Sequence, residues 1–107
     1  MKSSSKPPSA ELWHDLRSFA KGLYLEMDKL AKKAPSSKLS DLATTRINRA
    51  IRDANALMAD HDRYADDLVE FVPAGDNPET RDAVLVLKEI LDGLERLDRQ
   101  FDLRNLR

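Results

Sequence analysis

The sequence has no cysteine, little glycine and few aromatic residues. Its 107 residues include 3 Gly and no Cys, and 6% are Phe, Trp or Tyr. The absence of Cys excludes disulfides, thiolate zinc sites, iron–sulfur clusters and a cysteine nucleophile. The scarcity of aromatic residues disfavours β architectures and aromatic platforms that stack on nucleic-acid bases.

The sequence also lacks an excess of charge of either sign and lacks long apolar runs. With 18 Lys and Arg against 19 Asp and Glu, the formal net charge is −1, whereas non-specific binding to nucleic acid needs a large cationic excess. No run of about 18 apolar residues is present, so no membrane span is expected. The Ser/Pro-rich start lacks the apolar stretch of a secretory signal. We therefore expect a cytoplasmic protein with a disordered tail over residues 1–8 and one domain over residues 9–107.

Helical periodicity is what the sequence has in abundance. The first helix is predicted from Ser9, a good N-cap, to Ala34, just before Pro35. Apolar residues recur in it every three or four positions, which is the period of one helix face. They are Leu12, Leu16, Phe19, Leu23, Met27 and Leu30, with Trp13, Ala20, Tyr24 and Ala31 beside them.

The second helix is predicted to begin near Ser40, with Ser37 or Ser40 as its cap, and its apolar face is rich in Ala. Small residues allow close helix packing, which is typical of a middle helix. The end of this helix is ambiguous, because residues 60–62 (Asp-His-Asp) have poor helix propensity while the apolar phase continues to Val72. We favour a break near Asp60 and a short fourth helix over residues 63–71, and a single helix to Val72 is the alternative.

The third helix is predicted by strong signals at its start. Asn77 is a candidate N-cap, and Pro78 suits the first helical position, where its missing N–H costs nothing. Apolar residues then repeat with helical spacing from Ala83 to Phe101. Three long helices with short connections predict an all-α, up-down-up helical bundle.

Candidate catalytic and metal-binding residues are few. Glu11 and His14 have the Glu-x-x-His spacing of di-iron carboxylate bundles, but those sites need two such motifs and one is present. Asp60 and Asp62 flank His61 without the Gly-turn loop of an EF-hand. Neither a nucleophile elbow nor a Gly-rich phosphate loop occurs. We therefore expect no enzyme, no cofactor and no metal.

Carboxylate clusters leave one enzymatic alternative open. Asp66, Asp67 and Glu70 would hold a metal in a site that forms between two subunits. The competing interpretation is a solvated helix face, on which carboxylates pair with Arg or Lys one turn away. Asp92 and Arg96 have the four-residue spacing of such a pair. No feature of the sequence indicates the pocket that a general acid or base requires.

Arg46, Arg49 and Arg52 form a slowly drifting stripe on the second helix. Arg binds phosphates and base edges well, so a helix that carries these residues could enter a nucleic-acid groove. The competing interpretation is ion pairing with acidic neighbours such as Asp53. A nucleic-acid-binding accessory protein is therefore an alternative function that we do not favour.

Leu25 and Leu85 break the periodic pattern, because both lie among charged residues of their helices. Single exposed leucines are normal, but two on long helices also fit a contact face for a partner. We therefore favour a small protein–protein interaction or regulatory module that forms a homodimer or binds another protein chain. The predicted partner-binding residues are Trp13, Tyr24, Leu25, Leu85, Pro73, Gly75, Asp76 and Asn77.

Overall fold

Helices account for most of the structure, which is a computed structural model that describes residues 8–59, 69–71 and 75–106. The predicted all-α bundle of three long helices is confirmed for this part of the chain. Its elements are α1 (Ala10–Lys33), α2 (Asp41–Met58), α3 (Thr80–Phe101) and a 3-10 turn (Leu103–Asn105). Among the described helices, none combines the length and the apolar character that crossing a membrane requires.

Helices α1 and α2 begin at the serines that the sequence predicts as caps. Ser9 Oγ accepts the backbone N–H of Leu12 at 3.2 Å, and Ser40 Oγ accepts that of Ala43 at 3.1 Å. Each serine therefore satisfies a donor that has no partner within its own helix. α1 ends one residue before Ala34, which leads into Pro35.

The start of α3 differs from the prediction. Asn77 and Pro78 precede the helix, and its N-cap is Glu79, whose side chain makes no capping hydrogen bond. The side-chain amide of Asn77 instead donates to the Leu39 carbonyl and to Asp41 Oδ1, both at 2.8 Å. Asn77 thus ties the start of α3 to the start of α2 rather than capping its own helix.

The first N–H groups of α3 are satisfied by the connection between α1 and α2. The N–H of Thr80 donates to the Ser37 carbonyl at 2.9 Å, and that of Arg81 donates to the Pro35 carbonyl at 3.1 Å. Thr80 Oγ1 donates to the same Ser37 carbonyl at 3.0 Å. A tertiary contact therefore replaces the local cap that a helix start normally uses.

Helix α3 runs antiparallel to α1, which differs from the up-down-up order. The bond between Arg81 and Pro35 joins the start of α3 to the end of α1. Near the opposite ends of these helices, the indole N–H of Trp13 donates to the Leu94 carbonyl at 2.9 Å. α2 is also antiparallel to α1, because Leu12 near the start of α1 and Leu57 near the end of α2 line the same groove. α2 and α3 therefore point the same way.

The chain between α2 and α3 returns along α2, which makes this arrangement possible. The Asn48 side-chain amide donates to the Phe71 carbonyl at 2.7 Å, and its oxygen accepts the Phe71 N–H at 2.8 Å. Residues 69–71 are not helical, so the predicted fourth helix does not extend to Phe71. A single helix to Val72 is also wrong, because α2 ends at Met58. The rest of the predicted fourth helix and residues 1–7 of the predicted tail lie outside the described residues.

The hydrophobic core lies where the three helices meet, and α1 contributes its most tightly packed aromatic side chain, Trp13. Two leucines that the periodicity assigns to the apolar face of α1, Leu12 and Leu30, are exposed instead. Leu12 lies at the margin of the α1 stripe, beside a groove that α2 leaves open. The fully buried core residues with the largest side chains are Trp13, Ile47, Ile51, Met58, Leu87, Ile90, Leu94, Leu97 and Leu103.

Candidate interaction surface

Large apolar side chains remain on the surface of the described chain. Monomeric proteins expose single apolar residues routinely, whereas several on one face indicate a contact surface. The position of each side chain therefore determines whether it belongs to a contact surface. The exposed large apolar residues are Leu12, Leu25, Leu30, Leu42, Val69, Leu85 and Leu106.

A groove of about 440 Å³ opens between the first half of α1 and the second half of α2. Its apolar lining is Leu12, Leu16, Phe19, Ala56 and Leu57. Asp15, Arg49 and Asp53 supply its charged lining. An apolar floor with a few charged groups at the margin is the usual composition of a protein contact site.

Charged side chains shape one wall of this groove. The Arg49 guanidinium lies 4.8 Å from the centre of the Phe19 ring, within the range of a cation–π interaction. Arg49 Nε also lies 3.8 Å from an Asp53 carboxylate oxygen. Phe19 is therefore half-buried beneath Arg49, and Leu12 is the large apolar side chain that the groove leaves most open, with 59% of its surface exposed.

The predicted arginine stripe does not share one surface. Arg49 packs on α1, whereas Arg52 forms two hydrogen bonds, of 3.0 and 3.3 Å, with the carboxylate of Glu70 on the segment that returns from α2. Arg46 is exposed on the same helix. Two of the three guanidinium groups therefore have carboxylate partners. This agrees with ion pairing, the interpretation that competes with nucleic-acid binding.

Trp13 lies in the core with 1% of its surface exposed. Its ring meets the His14 ring edge to face, with the ring centres 4.9 Å apart, and the Arg17 guanidinium lies 5.9 Å from its centre. Tyr24 is half-buried and lines a recess of about 230 Å³ between α1 and α3. Trp13 is therefore a structural residue in this fold, and no partner can reach it without moving α3.

Leu25 and Leu85 are exposed, as their helical phase predicts. Tyr24 and Lys88 line the same recess between α1 and α3, so the two antiparallel helices bring Leu25 and Leu85 to a similar level. Charged residues such as Lys21 flank them, and neither leucine lines the groove between α1 and α2. Leu25 lies on the side of α1 opposite Leu12, and Leu85 lies on α3, so neither extends that groove.

Residues 75–77, the described part of the loop that the sequence predicts as a partner-binding segment, contribute little open apolar surface. Gly75 and Asp76 are exposed, and Asn77 is engaged with Leu39 and Asp41. Pro73 lies outside the described residues. Asn77 therefore has a structural role in joining α2 to α3, and its predicted role in partner binding is not needed to explain its contacts.

The histidine and carboxylate candidates are placed only in part. His14 Nε2 lies 3.0 Å from the Leu106 carbonyl, so it joins the start of α1 to the chain beyond α3. Glu70 pairs with Arg52, whereas Asp66, Asp67 and residues 60–62 lie outside the described residues. Within the described ranges, no group of three or more His, Asp or Glu side chains is arranged to hold a metal ion.

Sequence reasoning missed the residues that border the groove. Leu12 and Leu30 lie 18 positions apart, which is five turns at about 3.6 residues per turn, so they share one side of α1. Leu42 is 67% exposed in the first turn of α2, and it lies seven and fourteen positions before Arg49 and Ala56 of the groove wall. These spacings are visible in the sequence, but which side faces solvent is not.

Comparisons with protein-family models, with curated proteins and with solved structures found no match for the chain. The groove, the exposed leucines and the charges around them are therefore the observations from which a function is inferred.

Proposed function

We propose that this protein is a helical-bundle module that works by binding protein, and that it associates with itself. No described group of side chains is arranged for metal-dependent chemistry. What supports the proposal is the exposed apolar surface beside the groove between α1 and α2. A cytoplasmic location, inferred from the sequence, accompanies the proposal as a prediction.

The observation that carries this proposal is the position of Leu12, Leu30 and Leu42. All three are exposed, and Leu12 lines the groove between α1 and α2. Helical spacing puts Leu30 on the side of α1 that carries Leu12, and Leu42 on the side of α2 that carries Arg49. Burial of apolar surface contributes about 25 cal/mol for each Å² removed from water. Covering these side chains would therefore favour association, whereas leaving them in water gives the isolated bundle no benefit.

Sedimentation velocity of the full chain over a wide range of concentrations tests the proposal. We expect the mass to rise above the monomer mass of 12.1 kDa as concentration increases, because association follows mass action. A mass that stays at the monomer value throughout, in physiological salt, would contradict self-association.

A nucleic-acid alternative gives a different result. Binding through Arg46, Arg49 and Arg52 would weaken steeply as salt increases, because bound phosphates release counterions. Salt-dependent gel retardation of a nucleic acid by this chain, lost when these three Arg residues become Ala, would therefore favour the alternative.

A further inference from the structure

Two sets of residues on α1 recur at seven-residue intervals, and both begin at the groove between α1 and α2. Leu12 and Phe19 line the groove, and Asp15, Gly22 and Lys29 follow each other at intervals of seven. A step of seven residues is close to two helical turns, so each set occupies one narrow stripe. The stripe with Asp15 and Lys29 is exposed along its length.

The two ends of this stripe carry opposite charge. Asp15 lies in the groove beside Asp53, near the start of α1, whereas Lys29 lies in the last turns of the helix. Neither Asp15 nor Lys29 forms an ion pair with any residue that the structure describes. The stripe therefore carries one acidic side chain near the start of α1 and one basic side chain near its end, and neither is ion-paired within the described part of the chain.

Gly22 lies midway between these two charges. It is exposed, and a Cβ atom built on it would meet no atom within 4 Å. A glycine inside an exposed helix costs about 1 kcal/mol relative to alanine, and no contact within the described chain requires it. A glycine does, however, allow another backbone to approach closely.

We propose that a second copy of this chain packs on the side formed by α1 and α2, antiparallel and with the two α1 helices crossing at Gly22. The inference rests on the self-association proposed above and specifies its geometry. An antiparallel crossing at Gly22 puts Asp15 of one copy opposite Lys29 of the second copy. Two-fold symmetry repeats the contact, so each dimer contains it twice.

The same arrangement covers the exposed leucines. Reversal about Gly22 brings Leu12 of one copy close to the level of Leu30 of the second copy, and Leu42 borders the contact from α2. Apolar contacts at both ends with complementary charges between them are what a self-complementary surface requires.

Charge-reversal variants test the geometry. Asp15→Lys places two like charges together at both symmetric contacts, and Lys29→Glu does the same with the opposite sign. We expect each variant to raise the dimer dissociation constant about tenfold, measured by sedimentation equilibrium. Glu89→Lys, an exposed charge reversal on α3, is the matched control and should leave the constant unchanged.

Mixing the two variants is the decisive measurement. A chain with Asp15→Lys and a chain with Lys29→Glu would attract each other at both contacts, so an equimolar mixture should regain wild-type affinity. Circular dichroism of each variant alone checks that both are folded. Failure of the mixture to associate, with both variants folded, would overturn the antiparallel crossing.

Two leucine variants separate this face from the other side of the bundle. Leu12→Ser and Leu85→Ser remove side chains that are 59% and 64% exposed, so their effects on the monomer should be similar. We expect Leu12→Ser alone to weaken the dimer. A dimer that depends on Leu85 instead would refute the proposed face while self-association stands, whereas a wild-type chain that is always monomeric would refute both proposals.

Discussion

The buried amide of Asn48 shows how a single side chain sets the path of the chain. Its two hydrogen bonds to the Phe71 backbone imitate the pairing that a neighbouring strand would provide. The returning segment is thereby held on α2, next to the Arg52–Glu70 ion pair. An Asn in the interior of a helix has poor propensity, so here its tertiary contacts outweigh the local cost.

Asn48→Ala should lower the free energy of unfolding by about 2–3 kcal/mol, because it leaves the N–H and carbonyl of Phe71 without their partners. Urea unfolding of the variant measures this loss. Asn105→Ala is the control, since the Asn105 amide bonds to an exposed Asp102 carboxylate, and its effect should stay within about 0.5 kcal/mol. Equal effects of the two variants would contradict the role of Asn48.

The two helical glycines provide a second prediction for single residues. Gly22→Ala should stabilise the dilute monomer by about 1 kcal/mol, because alanine is the better helix former and its Cβ meets open space. At Gly93 a Cβ would lie 3.0 Å from Met58 Cε, so Met58 must shift and Gly93→Ala should gain less. Thermal unfolding at low concentration compares them, and a larger gain at Gly93 would be the contrary result.

At the scale of an element, the start of α3 depends on another part of the chain. Its leading N–H groups reach carbonyls of Pro35 and Ser37, and Thr80, with 2% of its surface exposed, reinforces the contact. The helix therefore begins two residues later than Asn77 and Pro78 predict. Local capping rules describe an isolated helix. Here the first N–H groups of α3 donate instead to backbone carbonyls of the chain that follows α1.

Thr80→Val should cost about 1–2 kcal/mol of stability, since it keeps the shape of the side chain but removes its hydrogen bond to Ser37. Thr45→Val is a matched control, because the Thr45 hydroxyl donates to the Asp41 carbonyl within an exposed turn. Chemical unfolding should show a change within about 0.5 kcal/mol for Thr45. A similar loss at both positions would mean that the contact with Ser37 contributes nothing specific.

At the scale of the whole molecule, the directions of the helices determine which surfaces exist. Because α3 is antiparallel to α1 and parallel to α2, the chain must return along α2 before α3 begins. The end of α1 therefore meets the start of α3, and Trp13 meets Leu94 at the other end. One side of the α1–α2 pair remains open, and the groove forms there.

Spin-label distances can verify these directions. The chain has no Cys, so Lys33→Cys combined with Asp82→Cys or with Gln100→Cys gives uniquely labelled pairs at exposed positions. The pair at 33 and 82 should be close, and the pair at 33 and 100 should be separated by about 27 Å more along the axis of α3. Double electron–electron resonance measures both pairs, and the reverse order would indicate an up-down-up bundle.

The sequence alone determined the helices and the exposure of some side chains, because these depend on local spacing. The caps Ser9 and Ser40, the stop at Pro35 and the outward phase of Leu25 and Leu85 all follow from periodicity and turn chemistry. The same spacing assigned Leu12 and Trp13 to one apolar face.

Tertiary structure alone decided which of those two residues is buried, where α3 begins and which way it points. Trp13 is covered because antiparallel α3 supplies the Leu94 carbonyl as its partner, whereas Leu12 faces a groove that α2 leaves open. The physical reason is that periodicity defines an apolar side of one helix, while the number and direction of its neighbours determine how much of that side is covered. The groove and its exposed leucines are therefore properties of the packed bundle, and they carry the proposed function.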